Sequence, residues 1–327
     1  MNKCATVLLI FISCIFQPLA AQAKDLAQEA VIESSPFKAS SLTVTTLSTM
    51  LASRGIGEWG YAALIEVDGK KILFDTGNRP ETVLQNAKEL EIDLSDVEDV
   101  ILSHNHGDHT GGLISLRETL RKQNPKALSR IHVGKGIFSE RANSNNSIWQ
   151  TRDALIALGS EFIVYEEPTQ IFPGVWLTGQ VPRIHPEKNW GGNGKLVMAS
   201  GLVEDNIPED LSLVIDTDEG FVLVSGCGHA GIINTMEHIT ANIHPGKIKT
   251  AIGGFHLVFA SDEHLAWTAN KLQGFGLEQM IGGHCTGIDA LYTLRGHLHS
   301  DRKHMVVGSV GDEFTLKGGI KAGFIAH

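Results

Sequence analysis

Four potential metal ligands fall within six residues, His104-Asn105-His106-Gly107-Asp108-His109, directly behind the apolar run Val100-Ile101-Leu102. Such a run reads as a buried strand. It would deliver the ligands to the edge of a sheet, where a rigid scaffold carries a functional loop. Neutral imidazoles and a carboxylate suit Zn²⁺ and other borderline divalent ions. His104 and His106, two residues apart, can point together at one ion, and Asp108 and His109 can turn toward a second. Gly107 allows a bend at little steric cost. Two ions roughly 3.5–4 Å apart hold a hydroxide between them and brace both oxygens of a displacement.

The first 23 residues have the pattern of a secretory signal peptide rather than of fold. Lys3 supplies a positive start, Val7 to Phe16 form an apolar core, and Ala21-Gln22-Ala23 is a small-residue cleavage site. The core is too short to span a bilayer comfortably, and no later apolar run is long enough to do so. This predicts a periplasmic or secreted chain starting at Lys24. Cys14 offers an alternative as a lipidation site, with Phe11 a poor match to that pattern. Removal of 1–23 leaves roughly 300 residues, enough for one large domain or two fused halves. The polar stretch 24–41 reads as a flexible lead-in, and 42–327 as the folded domain. A net charge of −10 argues against nucleic acid or an anionic membrane as partner. A small-molecule substrate, even an anionic one, stays compatible, because bound metal inverts the local field. Cys227 and Cys285 remain after cleavage; a disulfide and a place in the site are both open.

Strand patterns start at 42–47. The runs 62–67 and 71–74 flank Asp68-Gly69 as a hairpin. Pro80 opens a helix striped by Val83, Leu84, Ala87 and Leu90. The strand 100–102 and the His cluster follow, then Thr110-Gly111-Gly112 leads into a helix through about Lys122. Residues 143–146 read as a polar loop, 162–165 and 175–178 as strands, and 179–210 as a long surface loop. A second hairpin spans 211–215 and 221–224. Helix 230–243, strand 248–252, helix 262–273, strand 277–281 and helix 287–298 complete the reading. The strand, hairpin and helix order thus appears in both halves. Two sheets, each with helices on its outer face, pack as a four-layer αββα sandwich of mixed sheets.

Asp75-Thr-Gly77 followed by His104-Asn-His-Gly-Asp-His109-Thr-Gly-Gly112 resembles the metallo-β-lactamase superfamily of metal-dependent hydrolases. Ser225-Gly-Cys-Gly-His229, Ile252-Gly-Gly-Phe-His-Leu257 and Gly283-His-Cys-Thr-Gly287 are similar to a narrower branch. That branch includes the methanopterin-pathway dihydropterin–ribofuranosylaminobenzene phosphate synthases. The resemblance runs from about Leu42 to Phe314 and implies two divalent ions, Zn²⁺ first, with Mn or Fe also compatible. In the wider superfamily a His precedes the second hairpin and an Asp follows it. Here 199–211 holds no His, and Cys227 stands where the Asp is expected. The resemblance then implies that His229 completes the first site with His104 and His106, and His284 the second with Asp108 and His109. A helix-capping or substrate-binding His229 is the alternative. His185 is the competing upstream ligand, read as a loop or pocket residue. Cys227 is a bridging thiolate, a group behind the ligands, or a small buried hydrophobe. Asp75 implies a carboxylate that fixes the His loop. Arg183 offers a contact for an anionic group. His256, at a strand end, implies a donor to a developing oxyanion or a phosphate, with a structural His as the other reading.

The expected protein is a dinuclear metal-dependent hydrolase acting on an ester, phosphoester or related substrate. Asp108 serves as ligand and as orienter of the nucleophile. The synthase chemistry, a lactonase and a β-lactamase are the other enzyme readings; export fits the first poorly and the missing upstream His fits the last poorly. A metal-carrying binding or sensing protein is the non-enzyme reading, against which the intact first motif speaks.

Overall fold

The computed structural model describes residues 37–189 and 193–326. The expected signal peptide and most of the lead-in lie outside them. The first half runs β1 (Leu42–Ser48), β2 (Ala62–Val67), β3 (Lys70–Phe74), α1 (Thr82–Glu89), β4 (Asp99–Leu102), α2 (Gly107–Thr110), α3 (Leu113–Leu120), β5 (Arg130–Gly134), α4 (Ser147–Ala157) and β6 (Glu161–Tyr165). There follow β7 (Thr169–Phe172), β8 (Val175–Leu177), β9 (Lys195–Met198), β10 (Gly201–Glu204), β11 (Leu213–Thr217), β12 (Gly220–Ser225), α5 (Ile232–Asn242), β13 (Ile248–Gly253), α6 (Asp262–Phe275), β14 (Gln279–Gly282), α7 (Ile288–His297), β15 (Met305–Val307), β16 (Glu313–Thr315) and β17 (Gly319–Lys321).

Fifteen of these strands form two mixed sheets, ordered β17-β16-β1-β2-β3-β4-β5-β6 and β15-β14-β13-β12-β11-β8-β7. Within each sheet a parallel run, β3 to β6 and β12 to β15, adjoins antiparallel strands. Parallel neighbours need long crossovers, which helices supply here. Strand alternation sorts the apolar residues into layers. In β2 and β3, Ala63, Ile65, Ile72 and Phe74 face the other sheet, where they meet Leu213, Ile215, Val222 and Val224 of β11 and β12. The intervening Leu64 and Leu73 pack with Val83, Leu113, Leu116 and Leu155 of α1, α3 and α4. Val214, Phe221 and Leu223 pack with Ile233, Met236, Leu265 and Leu291 of α5, α6 and α7. Three apolar layers between four structural layers make the αββα sandwich.

The sequence reading missed several elements, each for a local reason. Arg130 and His132 interrupt the apolar run of β5; both bind Asp99. Strands β15 to β17 have three residues each, too few for a pattern. They also change the topology: β16 pairs with β1, so the chain's end completes the first sheet. The helix expected after Thr110-Gly111-Gly112 is α3, and the single turn of α2 before it was not expected. Gly107 begins α2 with no left-handed backbone angle, so the bend does not demand glycine. Residues 39–41, assigned to the lead-in, are tied down by Ala39 N–H to the Asp216 carbonyl and by Ser40 and Ser41 to Asp68. The segment 179–210 is not a plain surface loop. It carries the β9–β10 hairpin and the buried residues Glu187, Asn189, Glu209 and Asp210. No helix of the described residues is long and apolar enough to cross a membrane.

The layer between the sheets sets the sandwich's stability. Ile215→Ala, wholly buried there, is expected to cost about 2–5 kcal/mol. Ile156→Ala, 54% exposed on α4, should stay within about 0.5 kcal/mol. Urea unfolding of both variants checks the contrast; equal losses would contradict the layer assignment.

Candidate metal centre

The parallel strands of both sheets end on one side of the sandwich, and five of those ends carry a chemically competent residue. Asp75 follows β3, the His104–His109 loop follows β4, and Cys227 to His229 follow β12. His256 follows β13, and His284 with Cys285 follow β14. Asp75, His256 and His284 have φ of 57°, 47° and 48°. Left-handed conformations at non-glycine residues cost of order 1–3 kcal/mol each and persist where the surroundings impose them. Two glycines let the ends converge. A Cβ on Gly226 would lie 2.1 Å from Ser103 Oγ and 2.5 Å from Asp75 Oδ2; one on Gly254 would lie 2.1 Å from the Gly226 carbonyl oxygen.

Two donor groups result. In the first, His104 Nε2 lies 2.9 Å from His106 Nδ1 and 3.2 Å from His229 Nε2. In the second, His284 Nε2 lies 3.2 Å from His109 Nε2 and 3.3 Å from Asp108 Oδ2. The rings of His104 and His109 are 4.3 Å apart, so the groups adjoin. The opposite ring atoms are anchored. Ser103 Oγ is 2.9 Å from His104 Nδ1, the Asn189 carbonyl 2.6 Å from His229 Nδ1, and Asp75 Oδ2 2.7 Å from His109 Nδ1. These contacts aim the remaining lone pairs into the cluster.

Electrostatics suit the same purpose. Burial, then neighbouring imidazoles, hold His104 and His229 well below the ordinary His value, so both are neutral. His109 differs: burial opposes its charge, but the Asp75 carboxylate outweighs that and lifts it to about 9. Asp108 is ionised, because contacts with His284 and His109 outweigh its desolvation. His104 and His229, neutral and packed nitrogen to nitrogen, make a poor hydrogen bond with one another and good ligands; His109, whose Nδ1–H faces Asp75, offers Nε2 to a cation that displaces its second proton. Two nitrogens bound tetrahedrally at about 2.0–2.1 Å stand roughly 3.3–3.4 Å apart, close to the separations seen. The donor set therefore fits a divalent cation in each group.

The six residues expected as ligands are brought together here. His185 is not among them: it lies 3.6 Å from Glu237 and tilts against Trp267. Arg183 gives its guanidinium to the carbonyls of Val181, Asn206 and Ile207. Cys227 and Cys285 are free thiols, both buried, rather than a disulfide. His256 lies 4.5 Å, ring to ring, from His229 and lines a cavity of about 420 Å³ with Lys188, Asn189, Phe259, Ser261 and His264. Sequence reasoning missed three supports, all in the segment read as a loop. Glu209, fully buried, accepts the Asn105 N–H and an ion pair from Arg141, 2.6 Å away. Asp210 accepts the Ala230 N–H beside His229. Glu187 accepts the N–H groups of Ile233 and Asn234 at the start of α5. An acidic pair directly before an apolar strand was the only available signal.

The metallo-beta-lactamase superfamily matches residues 60–238. The 7,8-dihydropterin-6-methyl-4-(beta-D-ribofuranosyl)-aminobenzene-5'-phosphate synthase of Methanocaldococcus jannaschii is 29% identical over 84% of this chain and 97% of its own length. The uncharacterized protein MJ0448 of the same organism is 30% identical over 77% of this chain and 91% of its own. Among solved structures, Tm1679, described as a metal-dependent hydrolase of the beta-lactamase superfamily, superposes with a TM-score of 0.67 at 24% identity. That likeness spans 84% of this chain and 98% of Tm1679. Zn(2+)-bound PqqB from Methylobacterium extorquens has a TM-score of 0.51 at 14% identity, over 83% of this chain and 99% of its own. Both structures share the fold.

The convergence of strand ends makes a steric prediction. Gly226→Ala should destabilise the protein by about 1–3 kcal/mol, because the methyl collides with Ser103 and Asp75. Gly107→Ala meets nothing within 4 Å and should leave the melting temperature unchanged or slightly raised. Thermal unfolding of the two variants separates these outcomes.

Proposed function

This chain belongs to the metallo-beta-lactamase superfamily, and we propose that within it the protein is an exported, dinuclear, metal-dependent hydrolase of an ester, phosphoester or related small molecule. One observation carries the reading: the triples His104, His106, His229 and Asp108, His109, His284 each gather their donor atoms within 4.8 Å and lie back to back. Two divalent ions, Zn²⁺ first, supply Lewis-acid polarisation and an activated water near neutral pH when bound there. The chain's own residues set the rest. Asp75, Ser103 and Asn189 fix the imidazole orientations. Asp108 is the carboxylate of the cluster that stays partly open, at 19% side-chain exposure, which suits it to orient a nucleophile as well as to bind. His256 lines the adjacent cavity and serves as a donor to charge developing on the substrate. The adjacent cavity combines Lys188, polar Asn189 and Ser261, and exposed Phe259, and Trp59 is tilted against His284 of the cluster. That lining favours a small molecule with an anionic group and a flat apolar part.

The relation to the archaeal synthase, spanning nearly that enzyme's full length, favours a second reading in which the same centre supports group transfer. Export rests on the signal-peptide pattern of residues 1–23. Metal-loaded protein should hydrolyse generic phosphodiesters or esters. Absence of turnover with both ions bound would remove the hydrolase reading and leave transfer.

Two further outcomes test the centre itself. Elemental analysis of protein purified without chelator should give about two ions per chain; none after loading with Zn²⁺, Mn²⁺ or Fe²⁺ contradicts the proposal. His229→Ala should lose about one of them, since it leaves the first ion two protein imidazoles where a catalytic Zn²⁺ usually has about three ligands. His185→Ala should keep both. Circular dichroism first establishes that each variant folds, and the reverse pattern would move the third ligand to His185.

A further inference from the structure

Cys227 is 2% exposed, yet it belongs to none of the three apolar layers. A buried cysteine ordinarily acts as a small hydrophobe, but this one has polar company. Its Sγ lies 3.1 Å from His109 Nε2, as close as His284 Nε2 lies to the same nitrogen. It shares a 4.8 Å donor group with His104 and His109, and a second with His256 and Cys285. His104 belongs to the first metal triple and His109 to the second. Cys227 is thus the donor that reaches both. The fold preserves that position: Gly226 precedes the cysteine with no room for a side chain, and Gly254 lies between the turns of Cys227 and Cys285.

Resting on the dinuclear reading above, we infer that Cys227 ligates the metal centre through its sulfur, at the seam between the two donor triples, and that it makes the centre select Zn²⁺ or Co²⁺ over Mn²⁺. A thiol that coordinates a divalent cation gives up its proton, which leaves to solvent as the metal–sulfur bond forms. Thiolate is a soft ligand that suits Zn²⁺, whereas Mn²⁺ suits carboxylate, carbonyl and water. The imidazoles of the six-residue His/Asp set lean the same way, and a sulfur ligand strengthens that selection. Cys285 sits behind, its Sγ 3.6 Å from the Cys227 carbonyl oxygen, outside both His/Asp triples. It does not touch the ions.

Anaerobic loading with Co²⁺ reads the bond directly. Bound Co²⁺ gives visible d–d absorption whatever its ligands, and a sulfur ligand adds a near-ultraviolet charge-transfer band. Wild-type protein and Cys285→Ser should show both. Cys227→Ser should keep the visible absorption and lose the charge-transfer band. Its Zn²⁺ affinity should fall by at least ~10-fold, the low end of what losing even an outer hydrogen-bond partner of a ligand costs, and by more than its Mn²⁺ affinity. Wild-type protein with visible absorption and no charge-transfer band overturns sulfur ligation while leaving the dinuclear reading intact. Persistence of the band in Cys227→Ser, or its loss in Cys285→Ser, assigns the sulfur elsewhere and also overturns it. Failure of wild-type protein to take up Co²⁺ at all overturns both. Should Cys227→Ser not fold, the wild-type and Cys285→Ser spectra still decide.

Discussion

The Asp75 carboxylate holds the candidate metal centre together. It is fully buried and follows β3 in a left-handed conformation. Its Oδ1 accepts the Ser103 N–H, and its Oδ2 accepts both the Ser103 hydroxyl and the His109 Nδ1–H, all at 2.7 Å. Ser103 in turn contacts His104 Nδ1 at 2.9 Å. One side chain therefore joins the ends of β3 and β4 and orients one imidazole of each donor triple. Hydrogen bonds to a charged group contribute about 1.5–3 kcal/mol each, and a buried carboxylate without them would be strongly destabilising. The arrangement is self-consistent: Asp75 needs its donors, and the donors acquire fixed directions from it.

The rest of the site is assembled against opposing costs. Buried imidazoles crowd one another, as the low proton affinities of His104 and His229 record. Backbone strain is stored at Asp75, His256 and His284. The two-sheet scaffold tolerates these because its three apolar layers lie below the strand ends and remain intact. Since ligands deprotonated and preformed by folding bind metal tightly, metal binding and folding are coupled in such a centre. Buried acids from the segment between β8 and β11 then lock the ligand turns: Glu209 at the His104–His106 loop and Asp210 at the His229 turn.

Much of this was legible in the sequence, for identifiable reasons. Short apolar, β-branched runs in Ala62–Val67 and Leu213–Thr217, and the Asp68-Gly69 turn, mark strands by local chemistry alone. The candidate ligands were readable because coordination needs particular atoms at short spacing, and the six residues meet in space in two groups. What was hidden depends on tertiary contact. The strand β5 contains His132 and Arg130, whose polarity makes sense only with Asp99 beside them. Arg141 meets Glu209 across 68 residues, and no local pattern announces that pair. His185 and His229 looked like rivals in sequence; Glu237 and Trp267 hold the one, and the turn after β12 aims the other at His104.

The central claim is that two adjacent cation positions lie at the convergent strand ends. Anomalous diffraction from crystals of Zn²⁺-loaded protein, recorded on both sides of the zinc edge, tests it most directly. The account predicts two peaks, one within coordination distance of His104, His106 and His229, the other of Asp108, His109 and His284. A single peak, or peaks away from these residues, would contradict it.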